Sequence, residues 1–499
     1  MALAERPHPP GTYGVVVVGS GPGGLQTSYC LTKLGVEHAV LSADEGPSGM
    51  FRRFPVFERL ISWTKPEAPA ERGTREYELY DHNSLVADDG ELQACCAALM
   101  DRTYDVPSRA EMESALATFA ERAGVRVRYG CRWEATRRAE DGFVLETTDG
   151  EYRCRAVVFA LGVTAPWRAP IAGLEQVAHY VDVRPASEYD GASVFIVGKR
   201  NSAFEVATSL LPWARRIVLA SPRPVRTEVL GLSPLRTRYL QPYDEHVRGG
   251  FGTWVVDASI ERVERVGDGF RVAAQGTTRP GELEFEADHA IAATGFTTPL
   301  GDLRELGVAT VQDGRIPAQT PFWESVSVPG IYFAGNVTQG SPGLRKQGLS
   351  SASSSVSGFR YNARVLARHL AEKHFGVEPP RPRVEPDRLV PHLLRELATA
   401  PELWIQKGYL CRIVNRRDDG LRDDGILPLE VFVDEPGPDA VAIAVEIAAD
   451  GTIYPAVYVR RSNRVSEHQL PPHPLHRYES EEYARAVSGL VRPLLGSTA

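Results

Sequence analysis

The residues of this chain best suited to chemistry are glycines. Near the N-terminus, "VVVVGSGPGGLQTSYCLTKLG" sets Gly19, Gly21 and Gly24 at GxGxxG spacing between an apolar run and a helix-like one. Unpaired N–H groups at such a helix start, together with the helix dipole, hold a pyrophosphate. Gly19 permits the tight turn, Gly21 lets phosphate approach the backbone beside Ser20 and Pro22, and Gly24 lets the helix pack on its strand. An acidic residue further on usually bonds the ribose; here "VLSADE" places Ser42 at the end of the second strand, and Asp44 is the candidate.

A second loop follows in "VFIVGKRNSAFEVA", where Gly198, Arg200 and Ala203 occupy the glycine positions. A side chain at the middle position crowds a pyrophosphate, but a guanidinium can pair with it, so Lys199 and Arg200 are candidate phosphate ligands. Asn201 and Ser202 open the helix behind them. The next strand ends in "LASPRPVR", with no acid for a ribose hydroxyl and with Arg223 and Arg226 available for a 2′-phosphate. NADPH is favoured over NADH on that reading; solvated surface charge is the alternative.

These loops need strand–turn–helix–strand units around them, and the flanking patterns supply two. "RAVVFALGVTAPWRAP" and "HAIAATGFTTPL" read as strands ending in small-residue turns, the second at Gly295. "VPGIYFAGNVTQGSPGLRKQGLSSASSS" is a strand ending at Gly335 and Asn336, then a glycine- and serine-rich loop in which Lys346 and Gln347 can reach a flavin or substrate. Arg52 in "GMFRRFP" has the same prospect. The expected fold class is α/β, with two Rossmann-like domains and a small C-terminal α+β domain behind the break "GVEPPRPRVEPD". The expected boundaries are 1–185 and 291–376 for a discontinuous first dinucleotide domain, 186–290 for the second and 384–499 for the tail. The tail has three open roles: capping the site, a homodimer contact, or a partner contact.

Length and composition suit this picture. The 499 residues exceed one core, and a net charge of −8 argues against a nucleic-acid surface. No apolar run approaches membrane-spanning length, so a cytoplasmic protein is expected. The 6 cysteines contain no CxxC and no zinc spacing, so redox work falls to a cofactor. Trp63, Cys95, Cys96, His473 and His476 read as structural.

From Tyr13 to Leu370 the order GxGxxG, "ALG", "GKRNSA", "ATG", "YFAGN" resembles the two-dinucleotide flavoproteins, the superfamily of thioredoxin reductase-like enzymes and flavin-containing monooxygenases. "GMFRRFPVFERLISWTKP", "YDHNSLV" and "HPLHRYE" resemble FAD-dependent oxidoreductase-domain proteins and N-hydroxylating monooxygenase-like relatives. The resemblance implies FAD on the first unit and NADPH on the second. It also implies a monooxygenase that uses a flavin hydroperoxide and dioxygen to oxygenate, above all N-hydroxylate, a small metabolite such as an amine or amino acid. If "ISWTKP" aligns with the Asn-Ser-Lys stretch of those enzymes, Ser62 holds the asparagine position with Thr64 and Lys65 behind it, and Asn83 is a substitute. An NAD(P)H-dependent reductase or oxidase without oxygen insertion, or a flavin-stabilised binding protein, remains an alternative.

Overall fold

The computed structural model describes residues 6–53, 58–225, 252–348 and 350–495. The chain divides into two compact units: Met1–Gly49, Ser62–Gly162 and Pro299–Ala499 form one, Met50–Ile61 and Val163–Thr298 the other.

The first unit opens with β1 (Gly11–Val18), whose Val15 to Val18 run is buried, as a central parallel strand requires. α1 (Pro22–Lys33) follows, with proline at its start where a missing N–H costs nothing, and then β2 (His38–Leu41). β3 (Trp133–Ala139), β4 (Gly142–Thr147) and β5 (Gly150–Phe159) form an antiparallel meander that brings β5 parallel to β1. The strand order is β2-β1-β5-β4-β3.

The second unit repeats the plan. β6 (Ser193–Val197), wholly buried, leads into α2 (Asn201–Leu210), and β7 (Arg216–Ser221) returns parallel to β6. α2 buries Ala203, Phe204, Val206, Ala207 and Leu210, the i, i+3, i+4, i+7 stripe of a helix lying on a sheet. β8 (Thr253–Val266), β9 (Gly269–Gly276), β10 (Glu282–Ala287) and β11 (His289–Ala292) complete a 7-stranded sheet of order β10-β9-β8-β7-β6-β11, closed by Ala178–His179. Leu174 and Val177 belong to this unit's core, and the unit's main stretch runs from Val163 to Thr298.

The chain then rejoins the first unit. β12 (Ile331–Phe333) pairs parallel with β5, and α3 (Val356–Phe375) ends on Gly376 in the left-handed region. Beyond lie α4 (Leu389–Thr399), β13 (Leu410–Arg417), β14 (Gly420–Pro428), β15 (Ala440–Ile447), β16 (Ile453–Arg461), β17 (Arg464–Gln469) and α5 (Glu481–Leu495). The strands form an antiparallel sheet of order β14-β13-β15-β16-β17, with Arg383–Val384 at the β14 edge. Leu393 and Leu397 of α4 and Val487 and Val491 of α5 share a core with Val441, Ile443 and Val457. A second cluster, rich in alanine at Ala440, Ala442, Ala444 and Ala456, takes in Leu344 from the loop after β12. The expected α+β tail is present, but it shares a compact unit with the first dinucleotide fold. No described helix is long and apolar enough to cross a membrane.

Candidate functional site

Each glycine of the first loop meets a different constraint. Gly19 turns at φ +116°, and a Cβ there would lie 2.5 Å from the Ala160 carbonyl oxygen. A Cβ on Gly24 would lie 2.0 Å from the Gly19 oxygen, so α1 can start against β1 only with glycine. Gly21, the N-cap of α1, faces open space, with nothing within 4 Å of its Cβ position. That room beside unpaired helix-start N–H groups is what a pyrophosphate needs.

Ser42 anchors the loop at the end of β2: Ser20 Oγ donates to Ser42 Oγ at 2.8 Å, and Ser42 Oγ accepts from Asp44 N at 3.2 Å. Asp44 is half-buried, its carboxylate against the Gly49 backbone. The structure adds a glycine that the GxGxxG spacing does not single out: a Cβ on Gly23 would lie 2.3 Å from Gly335 Cα. Gly335, at φ +77°, therefore sits backbone to backbone against the phosphate loop, and Asn336 lies half-buried in the 3-10 turn Gly335–Gly340.

The second loop is built the same way. Gly198 turns at φ +140°, and its Cβ would lie 2.5 Å from the Ala293 carbonyl oxygen, as Gly19 stands to Ala160. Arg200 occupies the position that is open in the first loop; it is exposed and N-caps α2, with Asn201 and Ser202 half-buried behind it. Lys199 turns the other way, its buried ammonium paired with Asp257 of β8, which also accepts from Thr278. Burial alone would raise Asp257, but Lys199 and Thr278 hold its carboxyl below the usual range. Arg223 is exposed past the end of β7, and Arg226 lies outside the described residues. Gly295, at φ +107°, accepts through its carbonyl from Trp167 N and meets a His179 ring nitrogen at 3.1 Å. Burial lowers the His179 pKa, so the ring is neutral at pH 7.

The candidate catalytic residues occupy a polar loop of the first unit. Asn83 is buried, and its Nδ2 donates to the Ser62 carbonyl and to Thr64 Oγ1, both at 2.9 Å. Thr64 in turn donates to Asp81, which also accepts from the backbone N–H groups of Asn83 and Ser84. Both amide hydrogens of Asn83 are thus engaged within this loop. Gln26 of α1 holds the loop by bonding Val86 N and O, and Arg360 of α3 donates to the Ser84 and Glu78 carbonyls. Lys65 is exposed and borders, with Trp63, Arg102 and Tyr104, an open hollow of about 490 Å³. Arg52 lies on the helix Gly49–Arg53, with its side chain outside what the structure describes. Gln347 is exposed beside Lys346, whose ammonium bonds Glu446, Tyr458 and Glu467.

All 6 cysteines are free and buried. Burial pushes the Cys30 thiol up to about 11 and Cys154 up to about 12, so neither is a thiolate at neutral pH. Among the described residues no His, Cys, Asp and Glu cluster is arranged to hold a metal. His473 caps a turn by accepting from Leu475 N and Arg477 N, and His476 packs on Trp404.

Residues 16–335 match the family described as pyridine nucleotide-disulphide oxidoreductase. The chain belongs to that family. It is a flavoprotein oxidoreductase whose cofactors are FAD and NADP(H). It is 26% identical over 457 residues to an FAD-dependent oxidoreductase domain-containing protein 2 of Danio rerio, an alignment covering 80% of this chain and 64% of that relative. The chain thus spans less than two thirds of that relative's length. A ferredoxin--NADP reductase of Thermus thermophilus is 28% identical over 314 residues, 60% of this chain and 84% of the reductase. Among solved structures, a flavin-containing monooxygenase from Stenotrophomonas maltophilia has the same fold, at TM-score 0.55 and 19% identity, over 72% of this chain and 99% of its own.

Proposed function

We propose that this flavoprotein is an NADPH-dependent monooxygenase that oxygenates, and above all N-hydroxylates, a small metabolite such as an amine or amino acid. The observation that carries the reading is the state of the thiols: all are buried and unpaired, so no dithiol relays electrons outward and the acceptor meets the flavin directly. FAD would be held by Gly19, Ser20, Gly21, Pro22 and Gly24, with Asp44 toward the ribose and Gly335 and Asn336 in the turn that closes against the loop. NADPH would be held by Gly198, Asn201, Ser202 and Gly295, with Arg200 and Arg223 toward its phosphates. Bound together, the cofactors supply hydride transfer and a reduced flavin able to pass electrons to dioxygen. Lys65 then offers a cation at the open hollow, and Ser62 and Asn83 fix the loop that presents it.

The resemblance to ferredoxin--NADP reductase supports a second reading, an NAD(P)H-dependent reductase that inserts no oxygen. Stoichiometry separates them. With a panel of small amines, the first reading expects NADPH and dioxygen to be consumed in equal amounts with an oxygenated product. Fast NADPH-driven reduction of a protein or dye acceptor, with peroxide as the sole oxygen product, would overturn it.

A further inference from the structure

The solved neighbour accounts for 72% of this chain, and the C-terminal layer shares a compact unit with the first dinucleotide fold. Its residues reach that fold at defined points. Gln406 Nε2 donates to Asn362 Oδ1 at 2.8 Å, Asn362 Nδ2 to Thr338 Oγ1 at 2.9 Å, and Thr338 Oγ1 to the Gly335 carbonyl at 2.7 Å. Every member is buried, Gln406 and Asn362 completely, so this is a dry hydrogen-bonded line from the tail to the glycine that touches Gly23. Gln406 Oε1 also accepts from Ala352 N at 2.8 Å, at the far end of the same loop.

Two more anchors hold the stretch between. Tyr409 OH donates to the Ser341 carbonyl and accepts from Trp323 Nε1 at 3.0 Å, while Gly343, at φ +64°, lies so close to the Tyr409 ring that a Cβ would meet it at 2.5 Å. Lys346 Nζ donates to Glu446 at 2.7 Å and to Tyr458 and Glu467 at 2.6 Å, on β15, β16 and β17. Leu344 fills the alanine-rich cluster between these anchors. An ion pair on a buried carboxylate and a fully bonded amide line are interactions that fix geometry, because each broken member leaves a buried polar group without a partner.

We propose that the C-terminal layer is an internal clamp that sets residues 335–348 and 350–355 against the phosphate loop, with Gln406, Tyr409 and Lys346 as its positioning residues. The clamp rests on the reading that Gly335 and Asn336 face FAD. It gives the tail a role in cofactor retention, and it makes flavin affinity depend on residues that touch no flavin.

The test is FAD titration of the deflavinated full-length protein, followed by flavin fluorescence and by the shape of the visible flavin band. Gln406→Ala and Lys346→Met are expected to weaken FAD about tenfold each and to alter the band, with Lys346→Arg restoring most of the affinity. Val487→Ala, in the tail core away from the loop, is expected to lower Tm while leaving FAD affinity and the band unchanged. If wild-type protein binds FAD and both Gln406→Ala and Lys346→Met bind it equally well, or if Val487→Ala weakens FAD as much as they do, the clamp is overturned while the cofactor reading stands. Failure of the wild type itself to bind FAD overturns both.

Discussion

Gly21 and Gly23 lie two positions apart at the start of α1 under opposite demands. Gly21 borders open space, so Gly21→Ala is expected to leave stability within about 0.5 kcal/mol of wild type while lowering flavin content, because only an occupied site feels the methyl. Gly23→Ala drives a methyl into the Gly335 backbone and is expected to cost about 1–3 kcal/mol of stability and to lose flavin as well. Thermal melts and flavin absorbance of the two purified variants check the contrast. At the second loop, Arg200→Gly is expected to raise the KM for NADPH about tenfold with kcat little changed, as loss of one phosphate contact would; an unchanged KM would remove Arg200 from the site. The GxGxxG glycines were readable because their spacing is a property of one short turn. Gly23 was not, since its reason is Gly335, and neither was the pairing of Lys199 with Asp257, which joins the loop after β6 to β8.

At the scale of elements, α4 and β13 meet through buried charges. Arg412 pairs with Glu396 at 2.7 Å and with Asp423 at 2.5 Å, and Arg75 pairs with Glu396 and Glu402. Burial by itself would raise Asp423, but His392 and Arg412 outweigh it and hold the carboxyl down at about 2. A depressed carboxylate stabilises the fold above its unfolded pKa and loses that contribution as pH falls toward the folded value. Asp423→Asn is therefore expected to cost about 2 kcal/mol at pH 7, with the gap to wild type closing between about pH 4 and pH 2 in denaturant melts. Both Rossmann-like units were legible from strand–glycine–helix patterning. That the tail shares a unit with the first fold was not, because its ties run through single side chains such as Gln406 and Tyr409 that carry no periodic signal.

For the whole molecule, the sealed thiols set the expected behaviour. Native protein at pH 8 is expected to resist an aromatic disulfide reagent, with all 6 cysteines reacting only after denaturation. Fast labelling of any thiol during NADPH turnover would instead point to a dithiol route. The acidic net charge of −8 adds no long-range attraction for an anionic acceptor.

The contact of Gly23 with Gly335 also bears on recombination between genes. A contact made of two backbones has no side chain to enlarge on one face and trim on the other, so drift cannot repair it by compensation. A chimera joining the first 298 residues of this chain to the remainder of a relative is expected to mature as a yellow protein only where the incoming chain carries glycine at position 335, whose φ of +77° strains any side chain and brings its Cα against Gly23. That single residue would sort functional crossovers from silent ones.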